Sequence, residues 1–201
     1  DKDLIGEGPS CRLDCKVCQA HLHPPPHAND HCIWNFVSQY YNEDISKTFK
    51  DSYVFEFLNL SEPHSESDLQ IGLVKQMKNF ILELGKDFLF IGEEYKLQVG
   101  NSDFFIDLLF YHRGLQCLVA FELKADKFKP DHLGQLNFYL EALDRDVKKP
   151  NENPSIGVLL CKDKEMEVVE YALSRSLSPT MVSEYKIQLP DKKLLQQKLH
   201  E

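Results

Sequence analysis

An isolated aspartate in the run Phe104-Phe105-Ile106-Asp107-Leu108-Leu109-Phe110 and a Glu-x-Lys in Val119-Ala120-Phe121-Glu122-Leu123-Lys124 are the residues of this chain best placed to do chemistry. Burying a charge is costly unless the charge is paired or bound to a cation. Two carboxylates and an ammonium set into apolar strands therefore point to a metal-assisted site. Paired carboxylates suit a hard divalent ion with oxygen ligands. A lysine one pleat further along can orient or help deprotonate an attacking water and offset negative charge at phosphorus. The bland alternative makes Glu122 and Lys124 ordinary edge charges and Asp107 a salt-bridge partner. The apolar residues on both sides of the charges favour a site, because surface charges need no such setting.

The elements that must position these groups follow from periodicity. With a two- or four-residue hairpin loop around Arg113-Gly114, Asp107 faces Ala120, and Ala120, Glu122 and Lys124 share one sheet face with it; a three-residue loop would reverse the parity. Glu122 is then the diagonal neighbour of Asp107, roughly 7 Å away. Leu69, Leu73, Met77, Phe80, Ile81 and Leu84 recur at three- and four-residue steps and predict a helix over 66–84, capped by Ser65 or Ser67 and ended by Gly85. Strands are expected at 88–99, 103–112 and 115–124, a helix at 130–143, a buried strand at 156–161, a helix at 165–175 and a strand at 181–188. Leu194, Leu195 and Leu199 suit a last short helix. The order αβββαβαβ implies an α/β fold, a mixed sheet flanked by helices. Tyr53 to Leu58 is expected to pack onto this domain, and His112 is expected to be exposed at the hairpin turn.

The 42% hydrophobic and 27% charged fractions describe an ordinary globular protein. No window approaches the roughly 18 apolar residues of a membrane-spanning helix, so no membrane association is expected. No basic segment followed by an apolar stretch marks a signal peptide, and the location is read as cytoplasmic. The formal net charge of −9 argues against a protein that coats nucleic acid by bulk electrostatics. It leaves room for an enzyme with metal-binding carboxylates and one local basic face.

An Asp followed about fifteen residues later by Glu-x-Lys on the next strand, after an acid-bearing helix, resembles the PD-(D/E)XK nuclease superfamily, here with Ile106 where the name motif has Pro. Longer strings resemble the nuclease domain of the YhcG family: Phe80-Ile81-Leu82-Glu83-Leu84-Gly85, Ile106-Asp107-Leu108-Leu109-Phe110-Tyr111-His112-Arg113, Phe128-Lys129-Pro130, Gln135-Leu136-Asn137-Phe138-Tyr139-Leu140 and Asn153-Pro154-Ser155-Ile156-Gly157. The similarity runs from about residue 51 to 189. It implies a restriction-endonuclease-like αβββαβ core. It also implies that Asp107 and Glu122 hold Mg²⁺ or Mn²⁺ with the carbonyl of Leu123, that Lys124 serves the water nucleophile, and that Glu66 completes the metal shell through water. Gln135 and Tyr139 match the Gln-x-x-x-Tyr element of RecB-like nucleases, which positions the site or the phosphate backbone. Without the resemblance, that pair reads as helix–sheet packing.

The resulting organisation is an extension over 1–50, a nuclease-like domain over 51–189 and a helical tail over 190–201. Lys127, Lys129 and His132 beside the motif read either as a solvated loop or as phosphate contacts. Cys11, Cys15 and Cys18 have the spacing of a radical-SAM iron–sulfur motif, but the fold that follows is of another kind. With His21, His23, His27, His31 and Cys32 they are chemically compatible with zinc, although no paired ligand register is present; the default reading is a disordered extension. Cys117 and Cys161 read as buried free thiols. The expected function is metal-dependent hydrolysis of DNA, with a protein partner or a homodimer as further expected contacts. The competing expectation is a nuclease-fold module for nucleic-acid binding or assembly with weak or no catalysis.

Overall fold

The computed structural model describes residues 48–60, 63–174, 176 and 178–187. The Cys- and His-rich start of the chain, with its zinc and iron–sulfur readings, and the expected helical tail over 190–201 lie outside the described residues.

Ser65 opens the first helix. Its hydroxyl accepts from the backbone N–H of Asp68 at 3.1 Å, and its own N–H donates to Asp68 Oδ2 at 2.9 Å. This reciprocal box satisfies two of the N–H groups that a helix start leaves unpaired. The helical segment over 66–84 is two helices rather than one: α1 (Glu66–Lys75) and α2 (Met77–Leu84), divided at Gln76. Gln76 leaves the helical region at φ −109°, ψ 29°, and Asn79 Nδ2 donates to its side-chain oxygen. No Gly or Pro marks that break in the sequence.

The strands are β1 (Ser52–Val54), β2 (Phe88–Val99), β3 (Ser102–His112), β4 (Cys117–Leu123), β5 (Ile156–Cys161) and β6 (Thr180–Lys186). They form one mixed sheet in the order β1-β6-β5-β4-β3-β2. β2, β3 and β4 pair antiparallel; β4–β5, β5–β6 and β6–β1 pair parallel. β1 is an added edge strand within the segment expected only to pack. Every residue of β4 and β5 is buried, as parallel strands covered on both faces require. Helix α3 (His132–Ala142) continues into a π-helical turn over Leu143–Val147, and α4 (Met166–Leu173) precedes β6.

Two cores flank the sheet. On one face Leu69, Leu73, Phe80 and Leu84 of α1 and α2 pack with Phe110, Phe121 and Val158, joined by Tyr53 and Phe55. On the other, Leu133, Leu136, Tyr139 and Leu140 of α3 pack with Leu109, Ala120 and Leu159. Helix α3 lies so close to β5 that a Cβ at Gly157 would sit 2.9 Å from Leu136 Cγ and 3.1 Å from Leu140 Cδ1. Glycine there sets how near α3 can come to the sheet.

Candidate active site

The β3–β4 hairpin loop spans residues 113–116, so His112 pairs with Cys117 and Leu108 with Phe121. The loop has four residues, one of the two expected lengths, but it is centred on Gly114-Leu115 rather than on Arg113-Gly114, with Gln116 at φ 51°. His112 is buried rather than exposed, because its Nδ1 accepts from the N–H of Leu115 at 3.0 Å and braces the loop. Asn153 holds the loop from outside, its Nδ2 donating to the Leu115 carbonyl at 2.8 Å. One further step of the register puts Asp107 opposite Glu122 instead of Ala120. The shifted loop keeps the parity of the pairing and brings Asp107 and Glu122 to facing positions just where the two strands part.

β3 parts from β4 at that step. The Leu123 N–H donates to Asp107 Oδ2 at 2.7 Å, so the side chain stands in for a backbone rung. Alternation changes there too: Leu108 packs in the first core and Leu109 in the second, yet Ile106 also joins the second. From α1, Gln70 Nε2 donates to the Asp107 carbonyl at 3.1 Å. Gln70 escaped sequence reasoning; the available signal is that it lies four residues after Glu66, on the same helix face.

Glu122 is buried and Lys124 nearly so. Lys124 Nζ lies 2.9 Å from Glu122 Oε1 and 3.4 Å from Glu66 Oε2. Glu66, the first residue of α1, is half-exposed. Glu122 Oε2 is buried without a hydrogen-bond partner among the described residues. A buried acceptor left unpaired is costly, so the free oxygen needs an explanation. Burial first, and then the charge of Asp107, push the Glu122 carboxyl up to about 7. Burial likewise raises Asp107, against the lowering effect of the Leu123 N–H and Lys124. For Lys124 burial acts downward, but its bond to Glu122 and the charges of Glu122, Glu66 and Asp107 outweigh it and raise its pKa.

Helix α3 supplies the remaining wall. Gln135 Nε2 donates to the Tyr139 hydroxyl at 2.6 Å. Burial raises the Tyr139 pKa, and the charges of Glu122 and Asp107 raise it further, which places this pair beside the carboxylates. The hydroxyl accepts from Gln135, so its own proton remains available to donate.

The basic residues are less free than their sequence suggests. Lys127 pairs with Glu165, and Lys129 with Asp126. His132 Nδ1 faces the Lys129 N–H at 3.4 Å, in the turn that begins α3. Glu66 contributes to raising the Lys129 pKa, so the loop lies within electrostatic reach of the site.

Among the described residues no three His, Cys, Asp or Glu side chains converge as a complete metal cage. Two carboxylates nevertheless fit a small divalent ion, which keeps several waters and takes further oxygens from a substrate phosphate. The unpartnered Glu122 oxygen next to Asp107 is the observation that supports the fit. Among the described residues no helix is long and apolar enough to cross a membrane.

The family model of the YhcG PDDEXK nuclease domain matches residues 46–200. An Escherichia coli K12 protein named "Putative nuclease YhcG" is 41% identical over 153 residues, covering 76% of this chain and 41% of that protein. The chain thus spans less than half the length of this curated relative. A repair endonuclease from Pyrococcus abyssi aligns with a TM-score of 0.43 at 18% identity, over 65% of this chain and 50% of its own. EndoMS in its apo form aligns with a TM-score of 0.40 at 17% identity, over 66% and 49%. The family match, which takes in every strand of the sheet and the whole carboxylate–lysine site, shows that the chain belongs to the YhcG PDDEXK nuclease domain family.

Proposed function

We propose that this domain hydrolyses DNA phosphodiester bonds with a divalent cation, Mg²⁺ or Mn²⁺, held by Asp107 and Glu122. The observation that carries the proposal is the buried, unpartnered Oε2 of Glu122, beside a second carboxylate and a lysine. A cation bound there supplies Lewis-acid polarisation of the phosphate and activation of water at neutral pH.

The chain's own residues perform the rest. Asp107 is held from two directions, by the Leu123 N–H at its side chain and by Gln70 at its carbonyl. Positional restraint of this kind lowers a barrier by removing the need to order the groups during reaction. Lys124, kept protonated by Glu122 and Glu66, donates to the attacking water and offsets negative charge at phosphorus. Tyr139, oriented by Gln135, offers its hydroxyl proton to a phosphate oxygen. Glu66, beside Lys124 at the start of α1, would help to hold the cation through water.

Lys127, Lys129 and His132 contact the substrate backbone, since the exposed pairs of Lys127 with Glu165 and of Lys129 with Asp126 are weak and can exchange for phosphate. With a net charge of −9, this local basic loop needs help in gripping the backbone, from a protein partner or a second copy. The buried thiols of Cys117 and Cys161 suit a reducing, cytoplasmic setting.

The test is cleavage of labelled duplex DNA, single-stranded DNA and RNA in Mg²⁺, in Mn²⁺ and in EDTA. Metal-dependent cleavage of DNA is the expected result. Metal-dependent binding without cleavage would assign the fold to a binding or assembly role.

A further inference from the structure

Asp107 has an acidic neighbour on its other side. The pairs Glu93↔Leu108 and Tyr95↔Ile106 put Glu94 of β2 opposite Asp107, just as the β3–β4 register puts Glu122 opposite it. Glu94, Asp107 and Glu122 therefore hold neighbouring backbone positions across three adjacent strands. Like charges directly opposite one another destabilise a sheet. Glu94 is exposed, and its charge adds a lesser contribution to the rise of the Asp107 pKa that burial chiefly causes.

Its backbone is also unusual. Glu94 has φ 44° inside a strand, a left-handed conformation that costs a non-glycine residue on the order of 1 kcal/mol or more and clusters at functional sites. Gln116, the other non-glycine residue with positive φ among the described residues, sits in a hairpin loop where that conformation is ordinary. The bulge of β2 falls between Phe90 and Gly92, before Glu94, so the register shift itself does not require the left-handed residue. Lys96, the nearest cation along the strand, pairs with Asp103.

Asp107, Glu122 and Glu66 surround one lysine, Lys124, and Glu94 adds a further negative charge on the β2 side of Asp107. A phosphodiester cannot approach that excess of negative charge without a cation. On these grounds, and resting on the reading of the site given above, we infer that Glu94 is a further residue of the cation site, acting through a bridging water on the ion held by Asp107 and Glu122. The strained backbone is the cost of that placement.

The experiment is calorimetric titration of Mn²⁺ into the wild type, Asp107→Asn, Glu94→Gln and Glu94→Gly, with plasmid nicking measured in parallel. Glu94→Gln removes the charge and keeps the strain, whereas Glu94→Gly removes both. Both Glu94 variants are expected to bind Mn²⁺ more than about fivefold more weakly, toward the scale typical of outer-shell partners. Glu94→Gly is expected to do so while melting at a higher temperature than Glu94→Gln. A loss under about fivefold in either variant, with the wild type binding and Asp107→Asn failing to bind, overturns the role of Glu94 alone. If the wild type binds no Mn²⁺, the cation site falls, and this inference falls with it.

Discussion

The Leu123 N–H donates to Asp107 Oδ2 at 2.7 Å where β3 and β4 part, so the aspartate is both the last rung of the hairpin and the first wall of the site. The two roles separate by substitution. Asp107→Asn keeps an acceptor for Leu123 and removes the charge; it is expected to abolish cleavage and to leave the metal-free melting temperature unchanged or raised. Asp107→Ala leaves the N–H unpaired and is expected to cost a further ~1–3 kcal/mol in denaturant unfolding.

Gln70 is expected to act as a positioning residue. Gln70→Leu keeps the bulk and removes the donor to the Asp107 carbonyl. Its stability cost should stay within about 0.5–1.5 kcal/mol, the net worth of one hydrogen bond. Steady-state cleavage should show a lower kcat with KM little changed; equal kcat in the variant and the wild type would remove Gln70 from the site.

The pH dependence has a definite sign. Burial and Asp107 raise the Glu122 carboxyl from 4.5 to about 7, and Asp107 is raised in the same sense. A raised folded-state pKa contributes stability that is fully present below pH 4.5 and lost as pH rises through about 7. The metal-free protein should therefore melt at lower temperature at pH 8 than at pH 5.5, and Glu122→Gln should flatten that difference. Cation binding requires the ionised form, so Mn²⁺ affinity should rise over the same interval with proton release, measured by calorimetry in two buffers of different ionisation heat.

Gly157→Ala tests whether α3 is held at a fixed distance. The added methyl would meet Leu136 at 2.9 Å. Overpacking of this kind is expected to cost ~1–3 kcal/mol. It should also lower cleavage at temperatures where the variant remains folded, because Tyr139 rides on the same helix. Unchanged stability would show that α3 can shift freely.

The main charged groups were legible because Asp107, Glu122 and Lys124 interrupt runs that must be buried, and because alternation puts the latter two on one face. The αβββαβ order followed from periodicity for the same reason. The hairpin register was not legible, because Gln116 rather than a glycine takes the positive φ and His112 turns inward to brace the loop. The division of the first helix at Gln76 has no breaker residue to announce it. Gln70 reaches Asp107 across 37 residues of sequence, a contact that no local pattern encodes. The unpaired oxygen of Glu122 emerged only once β4 was seen to be covered on both faces.

Nicking of supercoiled plasmid in Mn²⁺ by the wild type, Asp107→Asn and Lys124→Ala, with circular dichroism confirming that all three are folded, tests the central claim most directly. The account predicts nicking by the wild type that EDTA stops, and none by either variant. Equal nicking by all three proteins would show that the carboxylate–lysine site does not cleave DNA.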